Sequence, residues 1–197
     1  MADSLFLSLW FQDFETDEML PHALRLMQQF SFSKSEPGIA NVVLNPISWE
    51  QPTILERRFH PGVAPEVAVL VAVDLLHADY AYVFEASWDL WSPQTSDGEW
   101  TQRPALVKFI ARGEEFEGGE AEVEGQLQVD FGVDTPFLHE ELELTGDVES
   151  RVRANVQALV DFINRVEKNV GAATRLLWSE SDENLAQKLI TRLQKVQ

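Results

Sequence analysis

The sequence predicts an α+β fold on an antiparallel or mixed sheet, and three observations carry that expectation. In DYAYVFEASWDLW, residues 79–91, Tyr80, Tyr82, Phe84, Ala86, Trp88 and Leu90 recur at every second position, which puts six apolar side chains on one face of a central strand. Between Asp147 and Gly171, Val152, Val156, Leu159, Ile163, Val166 and Val170 form the stripe of an amphipathic helix of about 23 residues, roughly 35 Å long. Residues 4–91 alternate strand-like and helix-like patterns in the ferredoxin-like order βαββαβ. A chain of 197 residues suits one domain, with 1–91 as its ferredoxin-like half and 104–197 adding a β-hairpin and two helices.

Leu5, Leu7, Leu9 and Phe11 alternate as a first strand. Thr16, Asp17 and Glu18 supply a cap and first-turn acids for a helix reaching Phe30, with Leu20, Ala23, Leu24 and Met27 on its apolar face. A loop at 31–38 precedes a strand at 39–46 that ends at Pro46, and a second strand at 53–59 returns beside it as a charged edge. His60, Pro61 and Gly62 break the chain, and Pro65 opens a helix through about residue 76. The alternation of Val67, Val69, Val71 and Val73 makes a buried strand the competing assignment there.

After the central strand, residues 92–104 read as a loop whose Trp100 folds back onto the sheet face that the two helices leave bare. Residues 105–131 read as a hairpin. Its first strand sets Val107, Phe109 and Ala111 opposite Leu106, Lys108, Ile110 and Arg112, and its tip is the acidic turn around Gly118 and Gly119. The return strand, 121–131, has Ala121, Val123, Leu127, Val129 and Phe131 on one face and Glu122, Glu124, Gln126, Gln128 and Asp130 on the wet one. Residues 137–144 fit either a helical turn or a short strand. The stripe of the long helix is worth about 10–15 kcal/mol of burial before entropy. A turn at 174–179 then leads to a last helix, about 180–196, with Leu185, Leu189, Leu193 and Val196, and the two C-terminal helices pack on the sheet as an αα-hairpin.

Composition narrows function. Without cysteine there is no disulfide scaffold, thiol nucleophile or Cys-based metal site. The start, MADSLFLSLWF, lacks the basic region of a signal peptide and no apolar run reaches the roughly 18 residues of a bilayer span, so a cytoplasmic protein without membrane contact is expected. The net charge is −18: residues 1–100 hold 15 acids against 4 bases (−11), residues 101–147 hold 12 against 3 (−9), and residues 148–197 hold 6 against 8 (+2). Such a surface repels nucleic acid, keeps the protein soluble and attracts a basic protein partner. Self-association stays open.

No cofactor or metal motif stands out, and G-x-S-x-G, G-x-G-x-x-G and G-K-[ST] are all missing. The leading expectation is an acidic protein-binding module that inhibits or neutralises a basic partner, with Glu115, Glu117, Glu120 and Glu122 at the hairpin tip as its docking residues. The alternative is a small hydrolase or metal-assisted enzyme in which Asp74 orients His77 and Glu85 completes a cleft. A third is a small-molecule binder with Tyr82 and Trp88 lining a pocket between sheet and helices. His139 with Glu140, Glu141 and Glu143 reads as a solvated acidic run, because consecutive side chains point apart.

Overall fold

Alternating apolar residues assemble into one antiparallel sheet at the centre of the molecule, seen in a computed structural model that describes residues 3–94, 99–138, 146–180 and 185–194. Its strands are β1 (Ser4–Trp10), β2 (Ile39–Pro46), β3 (Leu55–Val63), β4 (Tyr80–Pro93), β5 (Trp100–Arg112), β6 (Leu127–Val133) and β7 (Thr174–Ser179), in the spatial order β3-β2-β4-β5-β6-β1-β7. The helices are α1 (Met19–Met27), α2 (Pro65–Leu70), α3 (Glu120–Glu124), α4 (Thr135–Leu138), α5 (Gly146–Asn169) and α6 (Leu185–Gln194). No described helix is long and apolar enough to cross a membrane.

The fold is α+β, and residues 4–91 follow the order βαββαβ. Pairing in the sheet adds what that order leaves open. β5 and β6 stand between β4 and β1, so β1 touches neither β3 nor β4 and is held between β6 and β7. The hairpin therefore forms the middle of the sheet.

One cluster makes the core. Leu5, Leu7 and Leu9 of β1, Tyr82, Phe84, Ala86, Trp88 and Leu90 of β4, and Leu127, Val129 and Phe131 of β6 lie under Met19, Leu26 and Met27 of α1 and Val156, Leu159, Phe162 and Val166 of α5. Residues from α2, α4 and α6 join the same cluster: Ala68 and Val69, Phe137 and Leu138, Leu185 and Leu189. These helices thus share one side of the sheet. Phe30 sits at the focus, with its ring 5.5 Å from Trp88, 5.1 Å from Phe109 and 5.4 Å from Phe162, the last two edge to face as ring quadrupoles prefer. Asn155 fastens α5 to β4: its Oδ1 accepts from Trp91 N–H at 2.9 Å, and its Nδ2 donates to the carbonyls of Trp91 and Pro136, each at 2.9 Å.

Several local expectations are corrected. β4 and β5 continue through most of 92–104, pairing as far as Pro93 with Trp100, because a long ribbon satisfies its backbone whatever its side chains are. Trp100 is buried but lies outside the main cluster. The strand expected at 121–131 is helix α3 followed by β6. Glycines at positive φ, Gly119 (103°) and Gly125 (108°), bracket a turn that ordinary residues resist, and Val123 is left exposed. Residues 60–62 do not break the chain; β3 runs through them to Val63 with a register shift against β2. The segment after Pro65 is helical but shorter than expected, with α2 followed by a 3-10 turn at Val73–Leu75. The turn at 174–179 is the edge strand β7, interposed between α5 and α6, which still pack on one another. Residues 137–138 are helical in α4; the run from His139 to Glu143 lies outside the described residues.

His22 on α1 supplies a pH test of this packing. It is buried beside the ring of Phe11, its Nδ1 lies 2.7 Å from Arg25 Nη2, and its Nε2 lies 3.1 Å from a Glu18 carboxylate oxygen. Only the neutral ring can accept from Arg25 at Nδ1 while donating to Glu18 at Nε2. Burial first, then the Arg25 charge, hold its pKa below the ordinary 6.5, against a smaller opposing effect of Glu18. The unfolded chain therefore binds this proton more readily than the folded one. The stability that His22 contributes is complete above pH 6.5 and is lost as pH falls through the lowered folded value. NMR titration of the His22 ring should give a midpoint under 6.5, and His22→Gln should flatten the acid side of the stability curve. A folded-state midpoint at or above 6.5 contradicts this account.

Candidate functional site

With α1, α2, α4, α5 and α6 on one side, the opposite face of the sheet carries the side chains of the other parity. Register places Arg58, Asn41, Glu85, Lys108, Asp130, Phe6 and Trp178 directly across from one another in a single line from β3 to β7. Strand spacing sets Glu85 and Asp130 about 10 Å apart at Cα, with Lys108 between them. Asn41 Nδ2 donates to Glu85 Oε2 at 3.1 Å and fixes that carboxylate, while Asn41 Oδ1 is buried without a partner among the described residues. Asp130 Oδ1 accepts from Gly132 N–H at 2.8 Å. Lys108 has no hydrogen bond or ion pair among the described residues. At one end of the line Phe6 and Trp178 lie 4.7 Å apart.

The next row, Val43, Val83 and Ile110, is apolar and forms the floor of a groove of about 340 Å³. Glu85, Lys108 and Asp130 make one wall of it, and Asn45 and Trp49 the other. Trp49 reaches this face from the β2–β3 connection. Its ring packs edge to face on the fully buried Phe116, with centroids 4.8 Å apart, and its Nε1–H donates to Glu120 at 3.0 Å.

Residues 113–126 pack against Trp49 beside the groove, and a buried cation holds them there. Arg112 is 4% exposed, and its guanidinium donates to Glu120 at 2.6 Å, to Gln128 Oε1 at 2.8 Å and to the Gly125 carbonyl at 3.4 Å. Gln128 passes the network to Ser8 Oγ and the Glu124 carbonyl, and Ser8 Oγ also accepts from Trp178 Nε1–H at 3.0 Å. Trp10 Nε1–H donates to the Glu122 carbonyl at 3.0 Å. A charge removed from water in this way needs its partners, and here they come from α3, from β6 and from Gly125 between the two.

The expected docking glutamates divide into two pairs. Glu117 and Glu120 are engaged within the fold: Glu117, although exposed, accepts from Trp49 N–H through Oε2 at 2.8 Å, and the half-buried Glu120 pairs with Arg112. Glu115 and Glu122 are exposed, with no side-chain bond among the described residues. Asp74 and His77 lie in the connection from α2 to β4, both exposed, with the His77 ring 4.5 Å from that of Tyr80. Glu85 stands on the opposite side of the sheet from the Tyr82 hydroxyl, which accepts from His77 N–H at 3.0 Å. These three residues are thus not gathered into one cleft. Tyr82 also donates to the Leu75 carbonyl at 2.8 Å, and burial pushes its pKa up to about 12, so its phenol is structural. Trp88 faces the core.

A recess of about 440 Å³ lined by Glu15, Thr16, Asp17, Leu76 and Glu114 carries acids without a cation. Among the described residues no group of three or more His, Cys, Asp or Glu side chains is placed to hold a metal ion. The residues lining the groove include no hydroxyl nucleophile; they offer two carboxylates, an ammonium group, an amide and an indole for charge pairing and hydrogen bonding. Asn41, Lys108, Asp130, Arg112 and Trp49 were not singled out by sequence. Polar residues alternating with the core positions of β5 and β6 were the available signal. No protein-family model, curated protein or solved structure matches the chain.

Glu120→Gln leaves the Arg112 charge buried with only neutral acceptors. It should lower stability by about 1–3 kcal/mol in denaturant unfolding. Arg112→Met with Glu120→Gln should be milder than the two separate losses added together, since neither residue then strands the other.

Proposed function

We propose that the chain is a protein-binding module that docks a basic partner on the sheet face opposite α1 and α5 and inhibits or neutralises that partner. One observation carries the reading: the transverse line holds Glu85 and Asp130 on either side of Lys108, with Asn41 Oδ1 an unused buried acceptor beside them. Carboxylates held in place by a strand and an asparagine are already oriented for arginine or lysine side chains, so little side-chain freedom is lost on binding. The apolar floor of Val43, Val83 and Ile110 offers a surface for the stem of such a side chain.

A net charge of −18 supports the same partner chemistry at longer range, speeding encounter with a basic surface and slowing it with an acidic one. Glu115 and Glu122, exposed beside the groove, belong to this steering role, whereas Glu117 and Glu120 contribute by holding the wall in shape. The lack of cysteine suits a reducing compartment, and the reading places the protein in the cytoplasm.

The partner is to be captured from host lysate at low ionic strength, identified, and its binding followed by stopped-flow. Glu115→Lys with Glu122→Lys should reduce the association rate constant and weaken its salt dependence. Glu85→Gln with Asp130→Asn should instead speed dissociation by roughly tenfold or more. The reading fails if no basic protein binds at low salt, or if the groove variant binds with unchanged rates.

A further inference from the structure

A second recess lies on the helical side of the sheet, between the segment following α1 and the middle of α5. Its volume is about 170 Å³. Phe30, Trp88 and Phe162, all buried, line its inner part, and Ser31, Asp161 and Arg165 line its mouth. Aromatic walls around a recess normally mean a dry cavity of no consequence. Two features set this one apart.

The first is the Trp88 indole N–H. Trp88 is 3% exposed and its Nε1 has no hydrogen-bond partner among the described residues, although buried indole N–H groups ordinarily find one. The second is Arg165. Its Nε donates to the Gln29 carbonyl at 2.9 Å and its Nη2 to Ser31 Oγ at 3.1 Å, which locks the guanidinium at the mouth on two neutral oxygens. No carboxylate among the described residues lies within ion-pair distance of it, and Asp161 Oδ1 is taken by Gln157 at 2.8 Å. Trp88, whose buried donor is unpartnered, and Arg165, a fixed cation, therefore line the same space together with the rings of Phe30 and Phe162. A sphere of that volume is only about 7 Å across, so one small molecule can reach both donors.

We propose that this recess binds a small aliphatic monocarboxylate, its carboxylate accepting from the Trp88 N–H and the Arg165 guanidinium and its chain lying against Phe30 and Phe162. At about 30 Å³ for each water-sized group, the space takes roughly six non-hydrogen atoms, the size of butyrate. A carboxylate satisfies both donors at once. An amine would face Arg165 with like charge, and an uncharged amide would leave the cation without a counter-ion. The site is independent of the groove, on the other side of the sheet.

The full chain can be titrated with butyrate, and with butyramide as the uncharged control, while the indole N–H signals are followed by NMR. Trp88→Phe assigns the Trp88 signal by its disappearance. Butyrate should shift that signal saturably, butyramide should bind at least roughly tenfold more weakly, and Trp88→Phe should weaken butyrate by a similar factor with its circular dichroism unchanged. Asp161→Asn, which removes a negative charge at the mouth, should tighten binding. The proposal is overturned by a butyrate response that does not saturate or that spreads over the other indoles. It is equally overturned by a Trp88→Phe protein that binds butyrate as the parent does.

Discussion

Everything in this molecule follows from a sheet that is almost wholly apolar on one side and mixed on the other. An amphipathic sheet is stable in water when something covers its greasy face, and the chain commits α1, α2, α4, α5 and α6 to that one task. Nothing comparable is asked of the reverse side, where Asn41, Glu85, Lys108, Gln128 and Asp130 stand among apolar residues such as Phe6, Val83 and Ile110. The division runs through every strand because side-chain direction alternates along the backbone and cross-strand register keeps each row in line.

That bare side is nonetheless ordered. Asparagine braces Glu85, and a buried arginine ties α3 down beside Trp49 and Phe116, so the groove has walls as well as a floor. Placing a guanidinium where only 4% of it meets water is costly, and the carboxylate, amide and carbonyl around it offset the cost only while residues 113–126 stay folded in place. Charge and shape of this face are consequently linked. The carboxylate of Glu120, which by sequence resembles its exposed neighbours, is a structural part.

Much of the frame was legible in the sequence because it rests on periodicity. The alternation around Phe84 and the valine stripe of α5 each report a buried face directly, and both faces are where that pattern put them. The long helix also held a sign that was passed over: Asn155 interrupts an apolar stripe, and it is the residue that clasps the backbone at Trp91. Boundaries went astray where backbone geometry overrides composition. Gly125 turns an alternating run into helix plus strand, and pairing with β4 draws the polar residues Thr101, Gln102 and Arg103 into β5. β7 was hidden for another reason, since an edge strand of six residues has one neighbour and little burial to imprint on its sequence. The groove was the least legible part, as it is assembled from single residues on separate strands whose order in space no local pattern encodes.

The position of β1 bears on how the chain reaches this state. β1 is flanked by two strands that lie more than a hundred residues downstream, pairing Leu9 with Leu127 on one side and with Arg175 on the other. During synthesis the segment LFLSLW must wait, with both backbone edges and its leucines unsheltered, until most of the protein has left the ribosome. Closure of the sheet is thus a late, long-range event, and a nascent or truncated chain lacking β6 and β7 leaves the sticky ribbon of β1 exposed.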